Sequence, residues 1–255
     1  MKHIVCLSGG KDSTALALAL REKEPRDYIY VCTPTGDEYP EMFDHWKKLE
    51  VILGQKIIKI MPQSIYELID EFGMLPNFQA RWCTRILKIE AIQEFYNENL
   101  PATVYVGLRA DEMSREGNTL FDEQIKQDYP LRRWGWGLPE VLGYLQEKGV
   151  EIPRRTDCMM CFFQRLDEWY YLWETRPDDF RMLANLEIKI GYTFMSPGKH
   201  KKWSHKLCVL GRQFKRGEKP QAVKKAKRAV KVLRLFGEQP TEFDYNQSKC
   251  RACSL

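Results

Sequence analysis

The sequence contains no apolar run that approaches the length needed to cross a bilayer. Its first apolar stretch, residues 3–7, is followed at once by glycines and charged residues, so we expect no secretory signal peptide. The sequence also has no internal repeat and no low-complexity linker, which argues against a repeat architecture. These absences predict a cytoplasmic protein that does not bind membranes.

Length and cysteine content favour an intracellular globular protein. The 255 residues are enough for one α/β domain with an appendage. Eight cysteines are present. In the cytoplasm they are expected to be reduced, metal-bound or catalytic rather than paired in a disulfide framework.

Positive charge is concentrated in one segment. The formal net charge is +5, yet residues 199–234 carry 14 lysines and arginines and one acidic residue, Glu218. This basic block has a net charge of +13, so the rest of the chain is at −8. Such a concentration suits a phosphate-rich partner such as nucleic acid. A solvated, lysine-rich helix face has the same pattern, and the sequence leaves both interpretations open.

The segment LSGGKDS follows the apolar residues 3–7, which predict a buried strand. From Asp12 onward, alanines and leucines predict a helix. A strand, a glycine bend and a helix N-terminus form an anion site, because backbone N–H groups and the helix dipole both attract phosphate. Lys11 adds a cation and Asp12 a potential magnesium ligand, although an ordinary strand-to-helix turn is the alternative. The candidate phosphate-binding residues are Ser8, Gly9, Gly10, Lys11, Asp12 and Ser13.

The first two-fifths of the sequence alternates strand and helix patterns. Further strands are predicted at residues 28–32, 56–60 and 103–108, and helices at residues 41–53, 64–72 and 86–97. This alternation predicts an α/β fold, with helices on both faces of a parallel sheet and ligands at the carboxyl ends of the strands. From about Asp122 the sequence becomes irregular and aromatic-rich, with helices. The aromatic run of residues 162–173 has helical spacing and is expected to form core.

Two further loops follow predicted strands. The segment TGDEYPE places Gly36 in a turn beside three carboxylates, Asp37 among them. The segment VGLRADEMSRE follows the fourth strand, where Gly107 allows close approach and Arg109 can reach phosphate, ribose or magnesium. Both loops are candidate nucleotide contacts, although acids that compensate a helix dipole explain the first equally well.

Five cysteines have the spacing or surroundings of a functional site. Cys158 and Cys161 form one C-x-x-C pair and Cys250 and Cys253 a second, and two thiolates at this spacing can bind one ion. Both pairs together would close a structural zinc site. Cys83 lies among three basic residues in RWCTRILK, which could bind phosphates or lower the pKa of its thiol. The other three cysteines lie on apolar stretches and are expected to be ordinary buried cysteines.

The segment SGGKDS resembles the PP-loop of the N-type ATP pyrophosphatases, which cleave ATP between its α and β phosphates. The segments TPTGDEYPE, RWCTRILK, VGLRADEMS and PLRRW are similar, in the same order, to segments of the phosphoadenosine phosphosulfate (PAPS) reductase family. This resemblance implies an adenine-nucleotide alpha hydrolase-like fold. It divides the chain into a PP-loop nucleotide-binding domain, residues 1–150, and a helical C-terminal region, residues 151–255. ATP and Mg²⁺ are the implied cofactors, and Lys11, Asp12 and Cys83 the implied catalytic residues.

The family resemblance also bears on the cysteines. Iron–sulfur members of the family hold a [4Fe–4S] cluster with a cysteine pair and a later C-x-x-C. By this resemblance Cys83, Cys158, Cys161 and one cysteine of the tail pair would bind the cluster, with Zn²⁺ on both C-x-x-C pairs as the alternative. Thr84 stands where those members have the second cysteine of their pair.

An intact SGGKDS segment implies cleavage of ATP to AMP and pyrophosphate with adenylation of a substrate. Together with a thiolate centre and the basic block, it favours sulfur transfer to a nucleotide or nucleic acid, with a possible sulfur-donor protein. One alternative is a sulfonucleotide reductase acting on activated sulfate, although the catalytic ECGLH-type motif of those enzymes does not occur in the sequence. A second alternative is a nucleotide-binding module without turnover. Release of pyrophosphate from ATP separates these classes.

Overall fold

A parallel sheet of five short strands organises the fold. In the computed structural model, which describes residues 1–115, 122–198 and 201–220, the strands are β1 (Lys2–Cys6), β2 (Tyr28–Cys32), β3 (Ile57–Lys59), β4 (Ala102–Tyr105) and β5 (Ile125–Asp128). Their order is β3-β2-β1-β4-β5, and every neighbouring pair is parallel. The chain runs outward from β1 to β3 and then crosses back past β1 to β4. This reversal leaves a crevice between the carboxyl ends of β1 and β4.

Helices connect the strands and continue the fold beyond the sheet. They are α1 (Lys11–Lys23), α2 (Pro40–Leu53), α3 (Ile65–Phe72), α4 (Trp82–Thr84), α5 (Ala91–Asn97), α6 (Pro130–Arg133), α7 (Leu138–Glu147), α8 (Leu166–Thr175), α9 (Pro177–Ile190) and α10 (Leu207–Lys215). A π-helical segment, Arg85–Glu90, joins α4 to α5. In the described part of the chain, no helix has both the length and the apolar character that crossing a bilayer requires.

Successive residues of the central strands point to opposite faces of the sheet. Val5 and Tyr30 pack in a cluster with α1, α2 and α7, whereas Ile4 and Val31 pack in another cluster with Tyr96 of α5. These strand residues are all buried. Because both faces are covered, β1 has a continuous apolar run rather than an alternating pattern. The predicted fold class, a parallel sheet with helices on both faces, is confirmed.

The C-terminal helices bury a second apolar cluster. Trp169 and Leu172 of α8 are fully buried there, together with residues of α9 and α10. Ile65 and Leu68 of α3 belong to the same cluster, so it extends across the boundary predicted at residue 150. The prediction that the aromatic run of residues 162–173 contributes to the core is confirmed.

Two elements differ from the sequence prediction. Residues after Asp122 were expected to be irregular, but Ile125–Asp128 forms β5, which pairs only with β4 among the described strands. Such a position at the edge tolerates polar residues, and only Ile125 is buried, so the apolar pattern of a strand is absent. The helix expected at residues 86–97 begins earlier, at Trp82, and includes the π-helical segment. Single π turns of this kind frequently occur at functional sites.

Candidate functional site

Side chains of α2 support the loop between β1 and α1. The Trp46 Nε1 donates a hydrogen bond to the Ser8 carbonyl at 3.1 Å, and the His45 ring is hydrogen-bonded to the backbone of Gly9. Gly9 has φ = +88°, and a Cβ on it would lie 2.7 Å from Trp46 Nε1, so no larger residue fits. The Ser13 hydroxyl donates to the Gly10 carbonyl at 3.0 Å. These contacts hold the loop in one conformation.

An ion-pair network surrounds the first turn of α1. Arg109 Nη1 donates to both carboxylate oxygens of Asp12 at 2.9 Å, and Lys11 Nζ lies 3.4 Å from Asp12 Oδ2. The other guanidinium nitrogens of Arg109 hold Asp111 at 2.8 Å and Glu112 at 3.4 Å. Since a carboxylate has about four acceptor positions, Asp12 can also bind a cation while it remains paired with Arg109.

The loop after β4 contacts α1 directly. A Cβ on Gly107 would lie 3.1 Å from both the backbone carbon of Asp12 and the backbone nitrogen of Ser13. Glycine is therefore required for this approach of one backbone to another. The contact brings Gly107 beside the start of α1, at the crevice that the strand order creates.

A cleft of about 360 Å³ lies at the carboxyl ends of β1, β2 and β4. Apolar side chains line one part of it, among them Val31, Val106 and Ile89 of the π-helical segment. Charged residues and the first loop line another part; these are Ser8, Gly10, Lys11, Asp12, Ser13, Glu38, Lys88, Arg115, Arg154, Arg155, Asp157 and Glu168. An apolar wall combined with cations and backbone N–H groups suits a nucleotide-sized anionic ligand.

The loop between β2 and α2 reaches the cleft through Glu38. The Glu38 carboxylate accepts hydrogen bonds from the backbone N–H groups of Thr35, at 2.7 Å, and Gly36, at 3.0 Å. Gly36 has φ = +84° and packs against Ser64, 3.0 Å from the position its own Cβ would occupy. The described residues of this loop that line the cleft are Thr33, Pro34 and Glu38. A nucleotide contact by Gly36 stays a prediction, whereas its turn conformation already requires glycine.

Asp37 binds the turn that carries the C-x-x-C pair. Its backbone carbonyl accepts from the Met159 N–H at 2.8 Å, and its Oδ2 accepts from the Met160 N–H at 2.7 Å. The Tyr66 hydroxyl donates to its Oδ1. Burial raises the pKa of Asp37 to about 7. Asp37 thus positions the cysteine turn, although in the sequence it was grouped with the candidate nucleotide loop.

Cys83, Cys158 and Cys161 line one small cavity of about 20 Å³. The Cys158 and Cys161 thiols interact closely, and this interaction together with burial raises the pKa of Cys158 well above its usual value. Within the described ranges, no group of three or more histidine, cysteine or acidic residues is arranged to hold a metal ion. Cys250 and Cys253 lie outside the described residues. Of the five predicted thiol ligands, Cys83, Cys158 and Cys161 therefore lie around one cavity, whereas the positions of the two tail cysteines are not described.

The cysteine cavity adjoins the cleft. Lys88 and Phe163 line both of them. Burial raises the pKa of the Cys83 thiol, and the Lys88 ammonium acts in the opposite direction. Arg81 stacks over the Phe163 ring at 5.3 Å and Arg85 makes an exposed ion pair. Of the three cations predicted around Cys83, Lys88 thus lies where both cavities meet.

A match to a known sequence family shows which proteins this chain is related to. A sequence model of the phosphoadenosine phosphosulfate reductase domain matches residues 2–154, more than half of the chain. The chain belongs to this family. The PAPS reductase domain thus includes every strand and both loops that meet at the crevice, and it confirms the resemblance drawn from the motifs.

Two curated relatives come from Methanocaldococcus jannaschii. The uncharacterized protein MJ0066 is 28% identical over 227 residues, which is 80% of this chain and 46% of that protein. The uncharacterized protein MJ0973 is 25% identical over 199 residues, which is 72% of this chain and 47% of that protein. The chain therefore spans about half the length of the curated relatives it matches.

Solved structures with some likeness include a reductase, a thiolase and a synthetase. A PAPS reductase from Candida auris, in a phosphate complex, has 18% identity and a TM-score of 0.45 over 60% of this chain and 75% of that one. A U34-tRNA thiolase from Methanococcus maripaludis with its [4Fe-4S] cluster has 16% identity and a TM-score of 0.45 over 84% and 80%. An NH3-dependent NAD synthetase from Campylobacter jejuni, complexed with nitrate, has 14% identity and a TM-score of 0.39 over 86% and 88%.

One part of the candidate site, at the end of the PAPS reductase domain and just beyond it, was missed by the sequence analysis. Residues 154–157, Arg-Arg-Thr-Asp, line the cleft immediately before Cys158. Two adjacent arginines, separated from the C-x-x-C pair by two residues, were the available signal. Arg109, by contrast, was predicted to reach the ligand but lies 3% exposed against Asp12.

The basic block is described in part. Its described portion, residues 201–220, carries seven lysines and arginines and one acid, on and around α10. Residues 199–200 and 221–234 lie outside the described residues. Nucleic-acid binding by the block stays a prediction.

Proposed function

We propose that this protein cleaves ATP to AMP and pyrophosphate, adenylates an acceptor, and thereby prepares it for sulfur transfer to a nucleotide or nucleic acid. The observation that carries the proposal is the position of Lys11. Its side chain lies with the SGGKDS loop in a nucleotide-sized cleft, and that cleft adjoins a cavity lined by three cysteines. Membership of the PAPS reductase domain family supports the same conclusion.

The chemistry follows from the charges at the loop. An acceptor oxygen attacks the α-phosphorus, the bond from that phosphorus to the β-bridging oxygen breaks, and pyrophosphate leaves with the electron pair. Lys11 and the N–H groups at the start of α1 stabilise the charge that develops on pyrophosphate. Asp12 would hold Mg²⁺, which neutralises phosphate charge when bound. A sulfur nucleophile at the hydrosulfide level, supplied by a donor protein, then attacks the activated carbon and AMP leaves.

The three cysteines that line the small cavity are the candidate ligands of a metal centre beside the activated acceptor. Cys83, Cys158 and Cys161 would supply three thiolates and a tail cysteine, Cys250 or Cys253, the fourth, for a [4Fe–4S] cluster. A zinc site on both C-x-x-C pairs is the alternative. Anaerobic purification with iron, sulfide and zinc analysis tests both. Cys83→Ser should bleach a cluster but leave zinc content unchanged, and protein with neither metal would contradict both versions.

Pyrophosphate release from ATP and Mg²⁺ is the decisive test of the proposed activity. Lys11→Ala should lower kcat by about a hundredfold or more, as expected for loss of one charge-stabilising group. Asp12→Ala should abolish stabilisation of the protein by ATP and Mg²⁺. Lys47→Ala serves as the control, since Lys47 is 74% exposed and distant from the loop along the chain. Wild-type release rates in both loop variants would contradict the proposal.

The family match also supports sulfonucleotide reduction as a second candidate. A reductase would attack the sulfate sulfur of PAPS or adenosine phosphosulfate with the Cys83 thiolate, which expels the nucleotide and leaves the sulfo group on the cysteine as a thiosulfonate. An external dithiol reductant would then attack the cysteine sulfur, become oxidised to a disulfide and release sulfite, without ATP. Sulfite formation with no pyrophosphate release would favour this candidate. Tight ATP binding with neither product would instead indicate a nucleotide-binding module.

A further inference from the structure

The segment before the C-x-x-C pair crosses the phosphate loop. The Thr156 Oγ1 lies 3.7 Å from the position that a Cβ on Gly10 would occupy. Arg154 and Arg155 both line the cleft that Lys11 also lines. The same cleft therefore has two sets of cations on different parts of the chain, one on the first loop and one on this segment.

Arg155 is buried with an unsatisfied donor. It is 8% exposed, and its guanidinium lies 2.7 Å from Glu168 and 3.7 Å from Asp157. Its Nε has no hydrogen-bond partner within the described part of the chain. A buried N–H group without a partner is costly, and because this Nε is closed off from the cleft, Arg155 can contact a ligand only through the rest of its guanidinium group.

The Arg154 guanidinium stacks on an aromatic ring. Its guanidinium carbon lies 3.9 Å from the centroid of the Tyr171 ring, the closest cation–ring contact among the described residues. No carboxylate of the described residues pairs with Arg154 in the way that Asp178 pairs with Arg181. Stacking fixes the plane of the guanidinium and leaves its N–H edge available for bidentate binding of a phosphate.

A lysine of the basic block contacts the helix on which Arg154 stacks. The Lys219 ammonium lies 5.7 Å from the ring centroid of Tyr170, and Tyr170 and Tyr171 both belong to α8. Lys219 is one of the basic residues that follow α10. A second positive charge on this helix, in addition to Arg154, suits a phosphate chain that is longer than a mononucleotide.

We propose that Arg154 and Arg155 form an acceptor site that binds a backbone phosphate of a single-stranded nucleic acid, separate from the ATP phosphates bound at the first loop. The proposal rests on the proposed function for the identity of the ATP site. It adds the class of the acceptor and the residues that hold it in the cleft.

Two binding measurements test the site. Fluorescence anisotropy measures binding of a fluorescein-labelled, mixed-sequence, single-stranded 12-mer, prepared both as RNA and as DNA. Calorimetry measures binding of ATP with Mg²⁺. Arg154→Gln should weaken binding of one 12-mer by about tenfold or more, the range for a lost charged hydrogen bond, and leave the ATP Kd unchanged. The 12-mer association constant should also depend less steeply on salt: the magnitude of the slope of its logarithm against the logarithm of the salt concentration should fall by about one, which corresponds to one lost phosphate contact. Arg154→Lys keeps the charge, so the wild-type salt slope should remain. Arg181→Gln, on the exposed face of α9, is the matched control and should change neither Kd.

Three results would overturn the acceptor site. One is an equal loss of ATP and 12-mer affinity in Arg154→Gln, which would assign the arginine to ATP. Another is an effect no larger than that of Arg181→Gln. The third is binding of adenosine 3′,5′-bisphosphate to the wild type with affinity equal to or above that of both 12-mers, which would indicate a free nucleotide. Pyrophosphate release by the wild type is measured separately, so failure of the ATP chemistry is distinguished from failure of the acceptor site.

Discussion

Arg109 binds both carboxylate oxygens of Asp12 through one guanidinium nitrogen, at 2.9 Å each. This pair joins the loop after β4 to the first turn of α1, across the crevice where the strand order reverses. Arg109 also holds Asp111 and Glu112, so one buried cation is shared by three carboxylates, two of which have further cationic partners in Lys11 and Arg115. The geometry of the phosphate loop therefore depends on Arg109, a buried residue of the loop after β4 that does not line the cleft.

Arg109→Met should destabilise the protein strongly. Removing this cation leaves the partly buried Asp12 with Lys11 at 3.4 Å and the buried Glu112 with Arg115 at 3.0 Å. Breaking a buried pair costs up to about 3–5 kcal/mol of unfolding free energy. Urea unfolding measures the loss. Arg133→Met is the control: Arg133 pairs with Glu24 and Asp128 but is 46% exposed, so its loss should cost about 1 kcal/mol or less. Equal losses in both variants would contradict the importance of the buried network.

Gly107→Ala should displace the start of α1. The added methyl would lie 3.1 Å from two backbone atoms, which cannot move aside as a side chain can. We expect a loss of about 1–3 kcal/mol in unfolding free energy, as for other overpacked sites, and weaker ATP binding. Gly143→Ala in α7 has no atom within 4 Å of its Cβ and should instead stabilise the protein by up to about 1 kcal/mol. Unchanged stability in Gly107→Ala would show that the two backbones can separate freely.

Asp37→Ala should loosen the cysteine turn. The change leaves the Met160 N–H without its acceptor, which costs about 1–3 kcal/mol and shifts local opening by roughly tenfold or more. Cys158 and Cys161 should then react faster with iodoacetamide, as followed by mass spectrometry on the native protein. Asp70→Ala, which removes an exposed ion pair with Lys189, should leave their rates unchanged. Unaltered rates in Asp37→Ala would mean that the turn is held by other contacts.

Glu187 should make stability depend on pH. Its carboxylate is buried and accepts from the backbone N–H groups of Phe194 and Leu207, and burial raises its pKa from 4.5 to about 7. Because the native state holds this proton more tightly than the unfolded chain, the contribution is fully present below pH 4.5 and is lost as pH rises to about 7. The total loss is of order 3 kcal/mol at most.

Urea unfolding of the wild type and Glu187→Gln between pH 4 and 8 tests this dependence. The unfolding free energy of the wild type minus that of the variant should fall as pH rises through that window, because only the wild type loses the proton. Glu151→Gln changes an exposed glutamate and should show no such trend. A constant difference for Glu187→Gln would mean that this carboxylate titrates alike in both states.

Local patterns were sufficient for β1 to β4 and for the phosphate loop, but not for the polar strand β5 at the edge of the sheet. The apolar runs of β1 and β2 are continuous because both faces of the sheet are covered, and SGGKDS combines glycine, lysine and aspartate at a strand-to-helix junction. Both features are encoded within a few adjacent residues, so the sequence by itself determined the α/β fold class, the family and the position of the first loop.

The partners of the charged residues were decided only by the tertiary structure. Asp37 lies one residue from Glu38, yet it binds the turn at Met160 while Glu38 lines the cleft. Arg109 was expected to contact the ligand but instead binds the Asp12 carboxylate. Arg154 lines the cleft, and its guanidinium stacks on the Tyr171 ring. These contacts join residues far apart in sequence, and their geometry depends on the packing of the sheet against the C-terminal helices. Spacing along the chain carries no information on which distant side chain a charge will meet.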